Sequence, residues 1–378
     1  MKRICFCCTI PATFNFSMEV FSFLRDRGDQ VILISSEKEK LSALGRKIGV
    51  KYFYLPMRRS ISPVSDIRCI GRLRRFLADV KPDIVIGATP KAAMISMIAS
   101  RLAGVRHRIY HIYGLPLETA HGIKRHILEW VERVTGRCAT VVIPISNSVK
   151  ERTIELGLFP SGKLVQPGLL TVGGVDPLRF SPDRFDKSKD EIKAAIGIPN
   201  GDKVIGFIGR LTYDKGFKDI IDIWSRMNPS VGISLLIVGD IDERVPLSAD
   251  MTESFFNDKK VFHIGYNNEV EKYFSVIDIF LFPSYREGFG NVNVEAQAMK
   301  IPVISYDVTG CRDSVENGVT GYTVPFRDYD AVIDKLHQLL SDDDLRAELG
   351  ASGRHRVIAN FTRNHVADDF LSFISVLD

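Results

Sequence analysis

The chain is 378 residues long, more than one ordinary core accommodates, so two α/β domains of about 150–200 residues are expected. With 45% hydrophobic and 25% charged residues it has the composition of a globular protein, and no run approaches the ~18 apolar residues of a membrane-spanning helix. The net charge of +4 conceals a division: residues 1–165 carry 27 Lys and Arg against 13 Asp and Glu, and residues 166–378 carry 23 against 33.

Strands and helices are predicted to alternate almost throughout. In the first half the strand candidates are residues 3–8, 30–35, 51–55, 84–88, 108–113 and 140–144, with helices at 17–27, 39–48, 64–80, 91–103, 123–136 and 146–156. Residues 166–182 are rich in Gly and Pro and poor in periodicity, and mark the break between the halves. Beyond it, strands at 204–208, 234–238, 261–264, 279–283, 303–306 and 321–324 alternate with helices at 216–227, 245–257, 269–276, 291–300, 329–341 and 343–361. Residues 362–378 read as a last amphipathic helix. This is the pattern of parallel sheets with right-handed crossovers. It predicts an α/β protein of two tandem, doubly wound Rossmann-like domains, residues 1–168 and 169–361, with the 362–378 helix packing back on the first. Such folds bind ligands at the carboxyl ends of their strands, here in an interdomain cleft.

The start does not read as a signal peptide, since Lys2-Arg3 leads into a short apolar stretch broken at Pro11, and none is expected. The six cysteines are Cys5, Cys7, Cys8, Cys69, Cys138 and Cys311. Cys5-x-Cys7-Cys8 lies on the first predicted strand, where small thiols pack well, and no further ligands stand at metal-site spacing. Free thiols without an export signal suggest a reducing cytosol.

The chemistry concentrates in the second half. The apolar run at residues 276–283 (VIDIFLFP) reads as a buried parallel strand. The loop Glu287-Gly288-Phe289-Gly290 follows it, and a helix then begins at Asn291. A strand, a Gly-rich loop and a helix start aim backbone N–H groups and a positive dipole end at one point, where an anion can sit. The strand at 204–208 ends in Gly209 and hands over to Arg210 and Lys215, two cations suited to a diphosphate. The bland reading of these two is an exposed basic turn, but their place after a glycine-ended strand favours a site. Glu287 and Glu295, eight positions apart, flank the same region. Carboxylates beside a phosphate site suit hydroxyls, and the set describes a nucleotide-sugar pocket.

Taken in order, Gly173-Gly174-Val175-Asp176, Gly209-Arg210…Lys215-Gly216, Val238-Gly239-Asp240, Asp278…Pro283-Ser284 and the Glu287…Glu295 pair resemble the large retaining glycosyltransferase family, family 4 type, of GT-B fold. The resemblance is to its bacterial members that build capsule, O-antigen and lipid-linked glycans. It implies that Arg210 and Lys215 neutralise the leaving diphosphate, that Glu287 meets the donor sugar hydroxyls, and that Glu295 reaches the nucleotide ribose. Gly209, Gly239 and Tyr266 would belong to the donor site with the backbone amides of Gly288, Phe289, Gly290 and Asn291. Asp240-Ile241-Asp242 matches the Asp-x-Asp of metal-dependent glycosyltransferases, a match common by chance; no essential metal is expected, and no cofactor beyond the nucleotide sugar. Asp342-Asp343-Asp344 reads as a helix N-cap.

On the acceptor side the related enzymes often carry a His before Gly at the end of the fifth strand. Here Tyr113 precedes Gly114, with His111 two residues earlier; either could line the cleft, and His111 fits a core position equally. Gly114-Leu115-Pro116, and the loop holding Thr13, Phe14 and Asn15, resemble the enzymes that extend glycans on undecaprenyl diphosphate. Cations lie beside apolar residues at Arg58-Arg59, at Arg68 and Arg72 to Arg75, and at Lys124-Arg125-His126. Such clusters suit an anionic membrane surface better than nucleic acid, for which no recognised module is present. The sequence therefore reads as a metal-independent retaining transferase that moves a hexose or N-acetylhexosamine, UDP-linked by preference, to a lipid-linked or polysaccharide acceptor. It would be cytoplasmic, peripheral on the inner face of the plasma membrane. The alternatives are a GT-B sugar-nucleotide epimerase and a non-catalytic nucleotide-sugar-binding subunit.

Overall fold

The computed structural model describes residues 1–168, 173–185, 188–229, 231–241 and 249–377, without the side chains of 249–251. It divides into two compact units, Met1–Gly174 with Arg363–Asp378, and Val175–Thr362.

Unit 1 alternates β1 (Arg3–Cys7), α1 (Met18–Asp26), β2 (Gln30–Ser35), α2 (Lys38–Ile48), β3 (Lys51–Tyr54), α3 (Pro63–Val80), β4 (Ile84–Ala88), α4 (Pro90–Leu102), β5 (His107–Ile112), α5 (Gly122–Cys138), β6 (Val141–Pro144) and α6 (Asn147–Glu155). Its six strands are parallel in the order β3-β2-β1-β4-β5-β6. Strands buried on both faces need continuous apolar runs, which is what Ile4, Cys5, Phe6 and Cys7 of β1 supply. Right-handed crossovers put α1 and α2 on one face of this sheet and α3, α4 and α5 on the other. The predicted loop at residues 9–16 is instead wound into a 3₁₀ segment, Pro11–Ser17, which Pro11 opens with its preset φ.

Unit 2 contains α7 (Lys189–Ile196), β7 (Lys203–Ile208), α8 (Phe217–Met227), β8 (Ile233–Val238), α9 (Ala249–Phe256), β9 (Val261–Ile264), α10 (Val270–Phe274), β10 (Ile279–Phe282), α11 (Asn291–Ala298), β11 (Val303–Tyr306), α12 (Cys311–Ser314), β12 (Gly321–Val324), α13 (Tyr329–Ser341) and α14 (Asp343–Asn360). The parallel order is β12-β11-β10-β7-β8-β9, so both units have the doubly wound sheet that the alternation predicts. Asp342 caps α14, its carboxylate accepting from the Leu345 N–H at 2.8 Å.

The last helix, α15 (Arg363–Ser375), belongs to unit 1. Its Phe370, Leu371, Phe373 and Ile374 sit in one core with Phe6, Phe21 and Leu24, and the Lys2 ammonium donates to the Leu377 carbonyl at 2.5 Å. Each such side chain stabilises the unit by about 1.5–3 kcal/mol through burial. Among the described residues no helix is long and apolar enough to cross a membrane.

Candidate functional site

In a doubly wound sheet the crossover direction reverses at one pair of strands, and the connections leave those two carboxyl ends in opposite directions, opening a crevice. In unit 2 that pair is β7 and β10. β7 runs out at Gly209 and Arg210, followed by a 3₁₀ turn at Tyr213–Lys215; β10 runs out at Pro283 and leads to Glu287. The two exits meet. The Lys215 ammonium donates to Glu287 Oε1 at 2.5 Å, and the Ser284 hydroxyl donates to the same oxygen at 2.8 Å. Both charged side chains are mostly buried, 21% and 13% exposed. A carboxylate fixed by two donors is an oriented acceptor with its second oxygen left for other partners.

The charge around this pair is positive. Burial would push the Asp214 carboxyl up, but the Thr212 hydroxyl and the Arg286, Lys215 and Arg210 cations outweigh it and hold the group below the usual carboxylate range. Three cations around one short turn make a field suited to a polyanion. Backbone geometry closes the floor. Gly310 has φ +82°, and a Cβ there would lie 2.6 Å from the Glu287 carbonyl oxygen, so only glycine lets the chain pass under Glu287.

Beside these strand ends lies a cavity of about 710 Å³ lined by Gly209, Arg210, Gly239, Asp240, Ile241 and Tyr266. Its size and mixed lining are those of a small-molecule site. Asp240, which the sequence sets aside as a chance match, is part of the wall, with one carboxylate oxygen accepting from the Tyr266 N–H at 2.8 Å. Asp242 lies outside the described residues. Among the described residues no group of three or more His, Cys, Asp and Glu side chains is placed to hold a metal ion.

Gly290 precedes α11 with φ +88°, and Asn291 is its first residue. The Phe289 ring is buried against Phe361, centroids 5.1 Å apart, so this residue offers the loop only its backbone. Glu295 is half-buried, one turn into α11. It acts on Arg179, whose guanidinium is held above its ordinary value first by hydrogen bonds to Glu271 (3.0 and 2.7 Å) and then by the charges of Glu271, Glu295 and Asp176.

Two partnerships of this region escape local reading. Ser284, which the sequence offers only within a motif, shares the Glu287 oxygen. Asp219 on α8 is fully buried and accepts from three tyrosyl hydroxyls, Tyr285, Tyr306 and Tyr329, each at 2.8 Å. It thereby ties the residue after Ser284 to the start of the helix that follows Lys215. The signal was an Asp among Phe217, Ile220, Ile221 and Trp224 on a buried helix face.

In unit 1, β1 and β4 form the corresponding strand pair. Thr9 and Thr89 close it, their hydroxyl oxygens 2.8 Å apart, and Thr89 holds φ +64°, a strained value for a β-branched residue. His111 is buried on β5 with its ring stacked on Phe370 (5.6 Å), and among the described residues its Nε2 has no hydrogen-bond partner. Burial alone lowers its pKa to about 3, so the imidazole is neutral. Tyr113 lies just past the strand with its ring edge-on to His111 at 4.8 Å, and burial pushes its hydroxyl pKa up. On the 3₁₀ segment Phe14 is in the core, Thr13 half-buried and Asn15 exposed. Phe14, His111 and Tyr113 line one apolar cavity with Phe6, Val366 and Phe370.

Comparison with known proteins places both halves. The family described as Glycosyl transferases group 1 matches residues 188–356, and the Glycosyl transferase 4-like domain matches residues 16–167. The chain is 32% identical over 353 residues to the capsular polysaccharide biosynthesis glycosyltransferase CapM of Staphylococcus aureus, covering 93% of this chain and 90% of that protein. It is 26% identical over 352 residues to the UDP-Gal:alpha-D-GlcNAc-diphosphoundecaprenol alpha-1,3-galactosyltransferase of Escherichia coli, covering 91% and 88%. Among solved structures, Anabaena Alr3699/HepE in complex with UDP and glucose superposes with a TM-score of 0.80 over 100% of both chains, at 17% identity.

Proposed function

Because this chain belongs to the group 1 glycosyltransferases and has their GT-B fold, we propose that it transfers a hexose or N-acetylhexosamine from a UDP-linked donor, with retained anomeric configuration, to a lipid-linked or polysaccharide acceptor in cell-surface glycan assembly. The observation that carries the reading is the convergence at the β7 and β10 exits of Arg210, Lys215 and Glu287 beside a ligand-sized cavity.

A nucleoside diphosphate leaves with growing negative charge. Cations already in place beside it stabilise that charge without reorganising, which is the largest source of rate in sites of this kind. Arg210 and Lys215 take this role. Glu287, pinned through one oxygen by Lys215 and Ser284, suits the sugar hydroxyls as an oriented acceptor. Attack from the leaving-group face is what the family resemblance implies, with a donor phosphate oxygen receiving the acceptor proton. Glu295 addresses the ribose, and the cavity walled by Gly239 and Tyr266 takes the nucleoside. No step needs a metal.

UDP and a lipid-diphosphate acceptor are supported by the E. coli relative, whose name carries both, and capsule assembly by the S. aureus one. The basic excess of residues 1–165 supports a peripheral position on the inner face of the plasma membrane, where such an acceptor resides. The S. aureus and E. coli relatives are both named as transferases, which favours neither the epimerase nor the subunit reading.

The test is a panel of nucleotide sugars with and without undecaprenyl-diphosphate-linked glycan. Acceptor-dependent release of UDP is expected, and the true donor should also stabilise the fold, by ~2.7 kcal/mol at 100 times its dissociation constant. Release of no nucleotide from any donor in the presence of such acceptors would overturn the reading.

A further inference from the structure

In unit 1, α4 packs against both α3 and α5, and the three helices form one layer on one face of the sheet. Crossover helices run back against their strands, so α3 and α5 begin at the same end of this layer. On α5, Ile123, Ile127 and Trp130 recur at steps of four and three, which is one face of a helix, and they are 79%, 40% and 63% exposed. Beside them Lys124, His126 and Arg137 are exposed, and no acid is. Glu132 is buried, and Glu129 is engaged by Arg125 at 3.1 Å and Arg133 at 3.6 Å.

α3 repeats the arrangement. Val64 and Ile67 are exposed on its first turns, after an exposed Ile61. Exposed Arg68, Arg72, Arg74 and Arg75 follow, with Asp79 at the far end, and Asp66 is buried against Lys91. A single exposed isoleucine signifies nothing. Two helices of one layer that each show apolar residues at the same end, flanked by cations, make an amphipathic surface of the kind that lies in a bilayer interface.

Resting on the membrane-facing reading above, we propose that the α3–α5 layer inserts into an anionic bilayer. Ile123, Ile127 and Trp130, with Val64 and Ile67, enter the boundary between headgroups and acyl chains, while Lys124 and the α3 arginines stay among the phosphates. A second copy of the chain would bring two cation rows together, whereas anionic lipid complements them; this selects the occupant. Tryptophan beside cations is the side chain that favours this depth.

The sequence offers a clean reporter. Of its two tryptophans, Trp224 is buried and its indole donates to Asp258 at 2.9 Å, so a lipid-dependent change in emission belongs to Trp130. Full-length protein is mixed with phosphatidylglycerol–phosphatidylethanolamine vesicles at low salt and at ~0.5 M NaCl, where the Debye length falls to ~4 Å. The expected result is a blue-shifted emission that persists at high salt and is quenched by lipids brominated high on the acyl chain. Trp130→Phe should abolish the shift. Ile123→Ser with Ile127→Ser should weaken vesicle partitioning at least ten-fold while the melting temperature, and its rise on adding donor without lipid, stay as in the parent. Sedimentation at low salt without any shift in Trp130 emission would overturn insertion and leave the electrostatic reading standing. Absence of sedimentation at any salt would overturn both. A blue shift that grows with protein concentration in the absence of lipid would overturn it in favour of a second copy.

Discussion

Removing the ammonium of Lys215 tests the proposed chemistry most directly. Lys215 and Glu287 are 2.5 Å apart with only about a fifth or less of each side chain exposed. Lys215→Ala leaves the Glu287 carboxylate with the Ser284 hydroxyl as its remaining donor in that pair of contacts. Breaking a wholly buried ion pair costs about 3–5 kcal/mol, and this one keeps a hydrogen bond and some water. A loss of ~1–3 kcal/mol of stability is therefore expected, within the range of a charged hydrogen bond. Turnover should fall further, by ~100-fold to 1,000-fold, the effect of deleting one fixed donor to developing negative charge, ~2.7–4 kcal/mol. Glu287→Gln should also damage turnover, and Lys215→Ala with Glu287→Gln should be little worse than the poorer single variant, because residues that act as a unit are not additive. UDP release at saturating donor gives the rates, and urea unfolding the stabilities. Single variants within three-fold of the parent, or a double variant whose loss is the product of the two, would refute the idea that the pair works as one device.

The two glutamates should separate: Glu295→Gln weakens binding of free UDP measured by calorimetry, whereas Glu287→Gln hardly changes it; the reverse would mean the roles are exchanged. Gly310→Ala must hold a left-handed φ and drive a Cβ to 2.6 Å from the Glu287 carbonyl oxygen, so turnover should drop at least ten-fold together with ~1–3 kcal/mol of stability, read by melting and UDP release. Buried Glu132, whose carboxyl accepts from Tyr110 at 2.6 Å, is raised from 4.5 to about 7 by burial, against the lowering effect of that hydrogen bond. The folded state then binds a proton that the unfolded chain has released, so stability should fall as pH rises between about 4.5 and 7, and Glu132→Gln should flatten that slope; a parent curve rising through this window would contradict it. EDTA should leave turnover unchanged, and an enzyme silenced by chelation and restored by Mg²⁺ or Mn²⁺ would refute the metal-free mechanism.

Much of this architecture was legible because parallel strands must be apolar and crossover helices periodic, so the alternation survives in one sequence. Apolar character alone marks boundaries less well. The apolar run spans residues 276–283, yet β10 starts at Ile279, as the strand candidate 279–283 has it. Val276 and Ile277 are equally buried in the turn after α10, and the Asp278 carboxylate accepts the Val204 N–H at 2.7 Å. Burial there does not distinguish strand from turn. Arg210, Lys215 and Glu287 could be named because strand-end glycines and charges stand next to each other in the chain. The Lys215–Glu287 contact spans 72 positions, and the tyrosines on Asp219 stand 66, 87 and 110 positions away. Partnerships of that range leave no local spacing to read. Asp240 shows the converse: its motif is common by chance, and only the folded wall reveals that it borders the cavity.

The return of α15 to unit 1 sets the order in which the chain can mature on the ribosome. Unit 2 is continuous, Val175–Thr362, and all its strands have been made before α15 is translated. Unit 1, though begun first, lacks Phe370, Phe373 and Ile374 against Phe6 and Phe21 until the last helix emerges. The half that is begun first is therefore completed last, because part of its apolar core comes from the end of the chain. A fragment stopped near Gly174 never receives that part and should aggregate. A truncation that spares every residue of the proposed donor site but removes α15 should fail for the same reason.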